Sequence, residues 1–410
     1  MARLVIAGGG FAGFWAAAAA ARLRHDTPDL ASLEILLISR DDQLVIRPRL
    51  YEPNPTNMAV PLIPRLEAIG VQFERGEIDS IDTARQEVRL RGSTAVAYDR
   101  LVLATGSQLT RPPGAPAESG FDIDTLAGAA AFDRHLHQLA ARPEGEGRWT
   151  VVIAGGGFTG IELATALPER LREIGGAVAS IRVVVVDSAS GIGASLGDGP
   201  SGAIREALDS AGIERRTSVA ITSADAAGVV LSSGELLACQ TLVWTTGMRA
   251  SPLAAAISRR TDEIGRIGVT PELCVTGVDL VFAAGDVAHA EADGGHAILQ
   301  SCQHAQVTGR FAGYNAAADL AGVPLLVYSQ PLYTTCLDLG QSGAVLTKGW
   351  DRSVEATGEQ AKAIKRHINT QLIYPPLECA AILAAASPSV MDEETFRRRI
   401  LTRNSGVGGA

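Results

Sequence analysis

The sequence predicts an α/β protein: two Rossmann-like dinucleotide-binding domains followed by a small C-terminal α+β domain. Three observations carry that prediction. The peptide Ile-Ala-Gly-Gly-Gly-Phe-x-Gly occurs twice, at residues 6–13 and 153–160, each time directly after a short apolar run. One such glycine pattern matches many chains by chance, but two in the same strand-turn-helix context imply two nucleotide sites. An apolar strand running into a glycine turn is also duplicated, at residues 101–106 and 242–247. Composition agrees, since 46% hydrophobic residues, 44 glycines and only 5% aromatics suit tight turns with Ala/Val packing.

The elements follow in order. Leu4-Val5-Ile6-Ala7 forms the first strand, Gly8 the tight turn, Gly10 the point where backbone meets a pyrophosphate, and Gly13 the close contact of helix with sheet. An alanine-rich helix over 14–23 then turns its N-terminal amides to the phosphates. Residues 33–38 form a second strand, and Ser39 stands where an acid usually holds the adenosine ribose, with Asp41 two residues beyond. Residues 74–91 alternate as antiparallel strands do, and 98–106 run into a glycine turn. Residues 111–125, rich in Pro, Gly and Asp, read as a connector. A helix over 126–142 and a charged loop at 143–148 lead to the second copy: Val151-Val152-Ile153, then Gly155, Gly157 and Gly160, then a helix over 161–171. Its second strand, 181–186, ends in Asp187. A carboxylate there accepts from both ribose hydroxyls and repels a 2′-phosphate, which favours NADH over NADPH; Ser188 beside it softens the discrimination. After Val281-Phe282-Ala283-Ala284-Gly285-Asp286 comes a helix starting near Gln300, a hairpin-like stretch at 328–346, a helix over 358–370, and a polar tail expected to be disordered at 405–410.

The 410 residues accommodate two or three domains. A net charge of −9 without long basic runs argues against nucleic acid and against docking on anionic lipid. No apolar stretch approaches the roughly 18 residues of a membrane span, and nothing before residue 8 reads as a signal peptide, so a cytoplasmic protein is expected. The five cysteines, Cys239, Cys274, Cys302, Cys336 and Cys379, lack metal or redox spacing. None falls in the first 238 residues, which excludes the early redox cysteines of flavin disulfide reductases. Cys302 and Cys336 have two readings, a redox pair or buried inert thiols.

The segments LVIAGGGFAG, YDRLVLATGS, VVIAGGGFTGIELA, TLVWTTGMRASP and VFAAGDVA, in that order over residues 1–310, resemble the two-dinucleotide-binding-domain flavoproteins of the pyridine nucleotide-disulfide oxidoreductase superfamily. The closest resemblance is to type II NADH dehydrogenases (NADH:quinone oxidoreductases). It implies a discontinuous FAD domain over 1–125 and 272–325, an NAD(P)H domain over 126–271, and a C-terminal domain over 326–410. Gly8, Gly10, Phe11, Ala12 and Gly13 would lie on the FAD pyrophosphate, Ser39 and Arg40 near the adenosine, and Ala104, Thr105 and Gly106 at the passage between lobes. Gly285 and Asp286 would meet the ribityl chain. Gly155, Gly157, Phe158, Thr159, Gly160, Asp187, Thr246 and Gly247 would hold NADH, with NADPH disfavoured. Arg47 resembles an arginine that reaches the FAD phosphates in the ferredoxin-reductase and apoptosis-inducing-factor branch; as a sequence position it reads equally as a solvated charge.

Glu162 lies in the first turn of the second glycine helix, where the helix dipole alone favours a carboxylate. In the family that glutamate lies beside flavin and nicotinamide and orders the cofactor or assists proton movement. Type II dehydrogenases carry A-Q-x-A-x-Q-Q-G along the quinone site, whereas this chain has Cys302-Gln303-His304-Ala305-Gln306-Val307-Thr308-Gly309. Gln303 and His304 are therefore the acceptor-side candidates, with a satisfied helix histidine as the plainer reading of His304. No metal is called for. The implied activity is hydride transfer from NADH to FAD, then electron delivery to a quinone-like small acceptor. A biosynthetic flavoenzyme and a redox-responsive NADH/FAD-binding protein are the competing readings. The C-terminal region lacks the amphipathic anchor of membrane-bound members, peripheral membrane association is disfavoured, and a homodimer stays open.

Overall fold

The computed structural model describes residues 2–92, 95–111, 120–176, 179–389 and 394. Most of the connector at 112–119, most of the charged run after Asp392 and the tail at 405–410 lie outside the described residues.

Two five-stranded parallel sheets form the frame. The first has the order Val281–Ala283, Arg100–Leu103, Arg3–Ala7, Glu34–Ser39, Gln72–Arg75. The second has Phe121–Asp122, Thr241–Trp244, Thr150–Ala154, Arg182–Val186, Glu214–Arg216. In each, the strand before the glycine loop is central and lies buried on both faces, with Leu4, Val5 and Ile6 and their counterparts Val151, Val152 and Ile153 all inaccessible. That burial is why both read as unbroken apolar runs rather than alternating ones. Each sheet is also interrupted at the same point by a three-stranded antiparallel meander, Ile78–Asp82/Glu87–Leu90/Ala95–Ala97 in the first and Ile221–Asp225/Gly228–Leu231/Leu236–Ala238 in the second. The duplication seen in the glycine peptides thus extends through the whole topology. The copies differ at one edge: the first sheet takes its edge strand, Val281–Ala283, from beyond the second lobe, and the second takes Phe121–Asp122 from the connector.

Two departures from the sequence reading follow. Glu74 and Arg75 belong to a parallel edge strand of the first sheet, and the antiparallel strands begin only at Ile78. The C-terminal sheet has three antiparallel strands, Thr334–Asp338, Ala344–Lys348 and Ser353–Thr357, where a two-stranded hairpin is expected. The third strand is missed because Ser353, Val354 and Glu355 are exposed and show no apolar periodicity.

The lobes are joined where the two glycine turns emerge: Ser107–Leu109 pairs antiparallel with Met248–Ala250. Within the first lobe, helix α1 (Phe11–Asp26) packs on helix α2 (Cys302–Ala321) backbone to backbone. The run Ala16 to Ala21 is buried, and a Cβ placed on Gly309 or Gly313 would collide with the carbonyl oxygens of Ala12 and Ala16. The C-terminal sheet carries helix α3 (Gly358–His367) against its middle strand.

Gly313→Ala is therefore expected to lower stability by about 1–3 kcal/mol through overpacking. Gly202→Ala, exposed in the helix Ser201–Ser210 with open space around it, should raise stability by about 0.5–1 kcal/mol. Denaturant titration of the two variants checks both signs.

Candidate functional site

Both glycine loops adopt the same geometry. Gly8 and Gly155 have φ of 116° and 120°, a region that disfavours any side chain. A Cβ on Gly13 or Gly160 would strike the carbonyl oxygen of Gly8 or Gly155, so each helix starts in contact with its own turn. At Gly10 and Gly157 a Cβ would meet nothing within 4 Å. That pattern of strain, open notch and close contact matches what a pyrophosphate cradle needs.

A single cleft of about 2080 Å³ connects the two lobes and the C-terminal domain. Sites for one drug-sized ligand are typically about 300–1,000 Å³, so this volume suits more than one. Its first-lobe wall includes Gly8, Gly10, Phe11, Ala12, Ser39, Arg40, Arg47, Ala104, Thr105, Gly106 and Asp286. From the second lobe it takes Phe158, Thr159 and Glu162, while Gly155, Gly157, Gly160, Asp187, Thr246 and Gly247 lie outside its lining. Gly13 and Gly285 stand just behind the wall: a Cβ on Gly285 would press on that of Ala12. The Thr105 hydroxyl is buried without a hydrogen-bond partner on this wall, a polar group left for a ligand. The residues present therefore fit a dinucleotide.

Arg47 is not a solvated surface charge. Its Nη1 donates to Asp286 Oδ2 (3.3 Å) and Ser107 Oγ (3.2 Å), and its Nη2 to Asp124. Burial works against the cation, but the two carboxylates outweigh it and raise its pKa. Ser107 also donates to Asp286 Oδ2 at 2.6 Å, so the floor of the cleft is one hydrogen-bonded set. Arg40 is exposed and pairs with Asp41. Asp187 accepts from the backbone N–H of Gly156 (2.5 Å) and Ala189 (2.7 Å), which fixes its carboxylate at the end of the strand.

Glu162 does more than face a helix dipole. It is 3% exposed, and its Oε1 accepts from Lys365 Nζ at 2.7 Å and from the Asp338 N–H at 3.0 Å. Burial pushes its pKa up to about 7, with Lys365 and the Asp338 amide offsetting only part of the cost. For Lys365, burial opposes the charge, yet Glu162 outweighs it and the pKa rises. The pair as a whole holds its protons tightly. Lys365 also sits 5.4 Å over the Phe158 ring. It comes from α3, a helix in which the sequence reading names no site residue. The available signal was composition: among 36 Lys and Arg residues the only lysines are Lys348, Lys362 and Lys365. Tyr51 and Asp338, which complete this corner, carry no sequence signal of their own.

Gln303 and Gln306 line the cleft, with Gln303 Nε2 3.5 Å from Thr334 Oγ1. His304 does not join them. It is 1% exposed, outside the lining, with Nδ1 on Gln330 Oε1 (3.2 Å) and its ring stacked on Tyr333. Burial lowers its pKa to about 4, so it is neutral near pH 7, and the structure does not place it with Gln303 on the cleft wall as an acceptor-side candidate. Cys302 and Cys336 line the same cleft as free thiols, and burial raises them to about 11 and about 12. Neither is a thiolate at neutral pH, which suits the inert reading. Among the described residues, no helix is long and apolar enough to cross a membrane.

Fold and cleft together define a two-nucleotide flavoprotein oxidoreductase. The chain belongs to the pyridine nucleotide-disulphide oxidoreductase family, whose model matches residues 2–309. It is 43% identical over 397 residues to an NADH dehydrogenase-like protein of Mycobacterium tuberculosis, covering 95% of this chain and 99% of that one. It is 30% identical over 361 residues to the demethylphylloquinone reductase of Synechocystis, covering 84% and 86%. Its fold matches NDH2 of Plasmodium falciparum with a TM-score of 0.75 at 12% identity, covering 94% and 97%.

Lys365→Met removes the cation and leaves Glu162 to be buried alone. A carboxyl whose folded pKa is raised stabilises at low pH, and that stability drains as pH rises from the unfolded value, about 4.3, to the folded one. In the wild type the drain ends near 7. In the variant it continues, so its deficit should widen above pH 7 toward about 1.4 kcal/mol per pH unit. Thermal melts from pH 6 to 9 test this; a constant deficit would count against the pair.

Proposed function

We propose that the protein oxidises NADH, passing its hydride to FAD and the electrons on to a quinone-like small acceptor. One observation carries this: a single cleft is walled by the first glycine loop on one side and by the start of the second glycine helix, Phe158 to Glu162, on the other. Two dinucleotides held by those loops converge with their reacting ends in the same space.

Gly8, Gly10, Phe11, Ala12 and Gly13 hold the FAD pyrophosphate, Ser39 and Arg40 flank its adenosine, and Ala104, Thr105, Gly106, Gly285 and Asp286 accept the remainder. Bound FAD supplies the two-electron carrier. Arg47, fixed by Asp124 and Asp286 on the cleft floor, would hold those carboxylates in place and offer its guanidinium to the bound cofactor. Gly155, Gly157, Phe158, Thr159, Gly160, Thr246 and Gly247 seat the nicotinamide cofactor, and Asp187 selects NADH over NADPH by its negative charge. Glu162 and Lys365 keep a proton in a dry pocket beside Phe158 and steady the local charge as electrons arrive. Gln303 and Gln306 offer amide donors to an acceptor's carbonyl oxygens. The quinone assignment is supported by the Synechocystis relative, named as a demethylphylloquinone reductase.

Anaerobic titration with NADH should bleach the flavin absorbance with one equivalent, and a water-soluble quinone should restore it. A flavin band unmoved by NADH would sink the reading. Asp187→Ala should raise kcat/KM for NADPH relative to NADH at least about ten-fold, read from steady-state rates with both cofactors.

A further inference from the structure

The Glu162–Lys365 pair lines the cleft and can hold a proton, with its side chains 3% and 5% exposed. Reduction of a quinone-type acceptor by NADH takes up one proton beyond the hydride, since the hydride brings two electrons and a single proton. That proton has to come from water, and one hydrogen-bonded path from a more exposed side chain to the cleft stands next to this buried pair. Lys362, one turn before Lys365 on α3, is 21% exposed and donates to Asp338 Oδ1 at 2.5 Å. Asp338 Oδ2 accepts from Tyr51 Oη at 3.1 Å, and Tyr51 lines the cleft. The Gly340 N–H donates to Asp338 Oδ1 at 2.8 Å, and Lys362 also donates to the Gly340 carbonyl at 3.2 Å, so Asp338 and the solvent end of the path are anchored.

The geometry points to Tyr51 as a further catalytic acid, reloaded from solvent through Asp338 and Lys362. In the balanced step the Tyr51 O–H bond breaks and its proton joins the oxygen anion of the acceptor, which has received two electrons from NADH by way of the flavin. The phenolate recovers a proton through Asp338 from the Lys362 ammonium, and Lys362 recovers one from water. Composition supports the assignment independently. This chain uses arginine almost everywhere, yet the cations bonded to Asp338 and Glu162 are both lysines. An arginine would make the same ion pair, but a guanidinium does not release its proton, whereas an ammonium can. Burial, with Glu162, Asp338 and Glu52 around it, raises the Tyr51 pKa, so its hydroxyl is protonated at rest. Glu162 faces the relay from the second glycine helix, Lys365 from α3, and Glu52 from the loop that bears Tyr51.

The relay rests on the quinone-reductase reading. Its test uses the FAD-loaded protein in stopped flow, comparing flavin reoxidation by a soluble quinone with flavin reduction by NADH in the wild type, Lys362→Met, Lys362→Arg and Tyr51→Phe. The expected result is a fall of about ten-fold or more in the reoxidation-to-reduction ratio in all three variants, with Lys362→Arg no better than Lys362→Met. A redox-difference infrared spectrum should show tyrosine ring bands in the wild type that vanish in Tyr51→Phe, a signal that a packing role for Tyr51 would not produce. Lys362→Arg restoring the wild-type ratio, or a spectrum without tyrosine bands, overturns the relay alone. A wild-type reduced flavin that no quinone reoxidises overturns the relay and the reading beneath it.

Discussion

The architecture turns on the contact of three small residues, Ala12, Gly285 and Gly309. A Cβ on Gly285 would press on the Ala12 side chain, and one on Gly309 would strike the Ala12 backbone. The start of the first glycine helix, the Gly-Asp turn at the end of the last parallel strand, and the acceptor-side helix α2 therefore meet at one point. The Gly285 N–H donates to Thr308 Oγ1 at 3.0 Å and fastens the turn to α2. Because α1 and α2 touch through backbone, neither can shift without moving the other. Pyrophosphate cradle, Asp286 and Gln303 are thus held in fixed relation by packing that contains no functional group. The alanine run of α1 serves the same end, since larger side chains would push the helices apart and widen the cleft.

On that rigid frame the charges are divided by kind. Arginines make the fixed contacts, as Arg47 does between Asp124 and Asp286 and Arg49 does with Glu52. Two of the three lysines stand instead beside Glu162 and Asp338. The C-terminal domain is what brings them there. It docks on the second glycine helix through the Glu162–Lys365 pair, so the third domain completes a site that the duplicated lobes leave unfinished. Burying such a pair is seldom a gain in stability over an apolar contact. Its retention is understandable if its chemistry is used.

Much of this was legible in the sequence because the physics was local. The glycine notches, the parallel strands and Asp187 each depend on residues within a few positions of one another, and a peptide repeat exposes them. The meaning of Glu162 was half legible: its helix position shows in the sequence, while its burial and its partner arrive from a segment some 200 residues later. Arg47 failed as a sequence question for the same reason, its partners Asp124 and Asp286 coming from the connector and the last parallel strand. His304 misled because a histidine in that helix reads as chemistry, although the ring is buried, with Nδ1 bonded to Gln330 and its face stacked on Tyr333. Contacts of long sequence separation leave no periodicity to read.

The departure from the type II dehydrogenase pattern at residues 307–308 looks different once the helix is in place. Two glutamines are replaced there, which in sequence suggests a remodelled acceptor pocket. The structure separates the two positions. Thr308 is wholly buried and spends its hydroxyl on the Gly285 N–H and on the His304 carbonyl at 2.7 Å, so its identity answers to the turn rather than to a ligand. Val307 stands in the cleft wall beside Gln306 and Gln303. Only one of the two substitutions therefore faces an acceptor. It exchanges an amide for an apolar surface and leaves two glutamines in reach. Such a wall suits a flat, mostly apolar molecule with polar groups at its edge. The change at residue 307 therefore alters the cleft surface, whereas the change at residue 308 does not reach it.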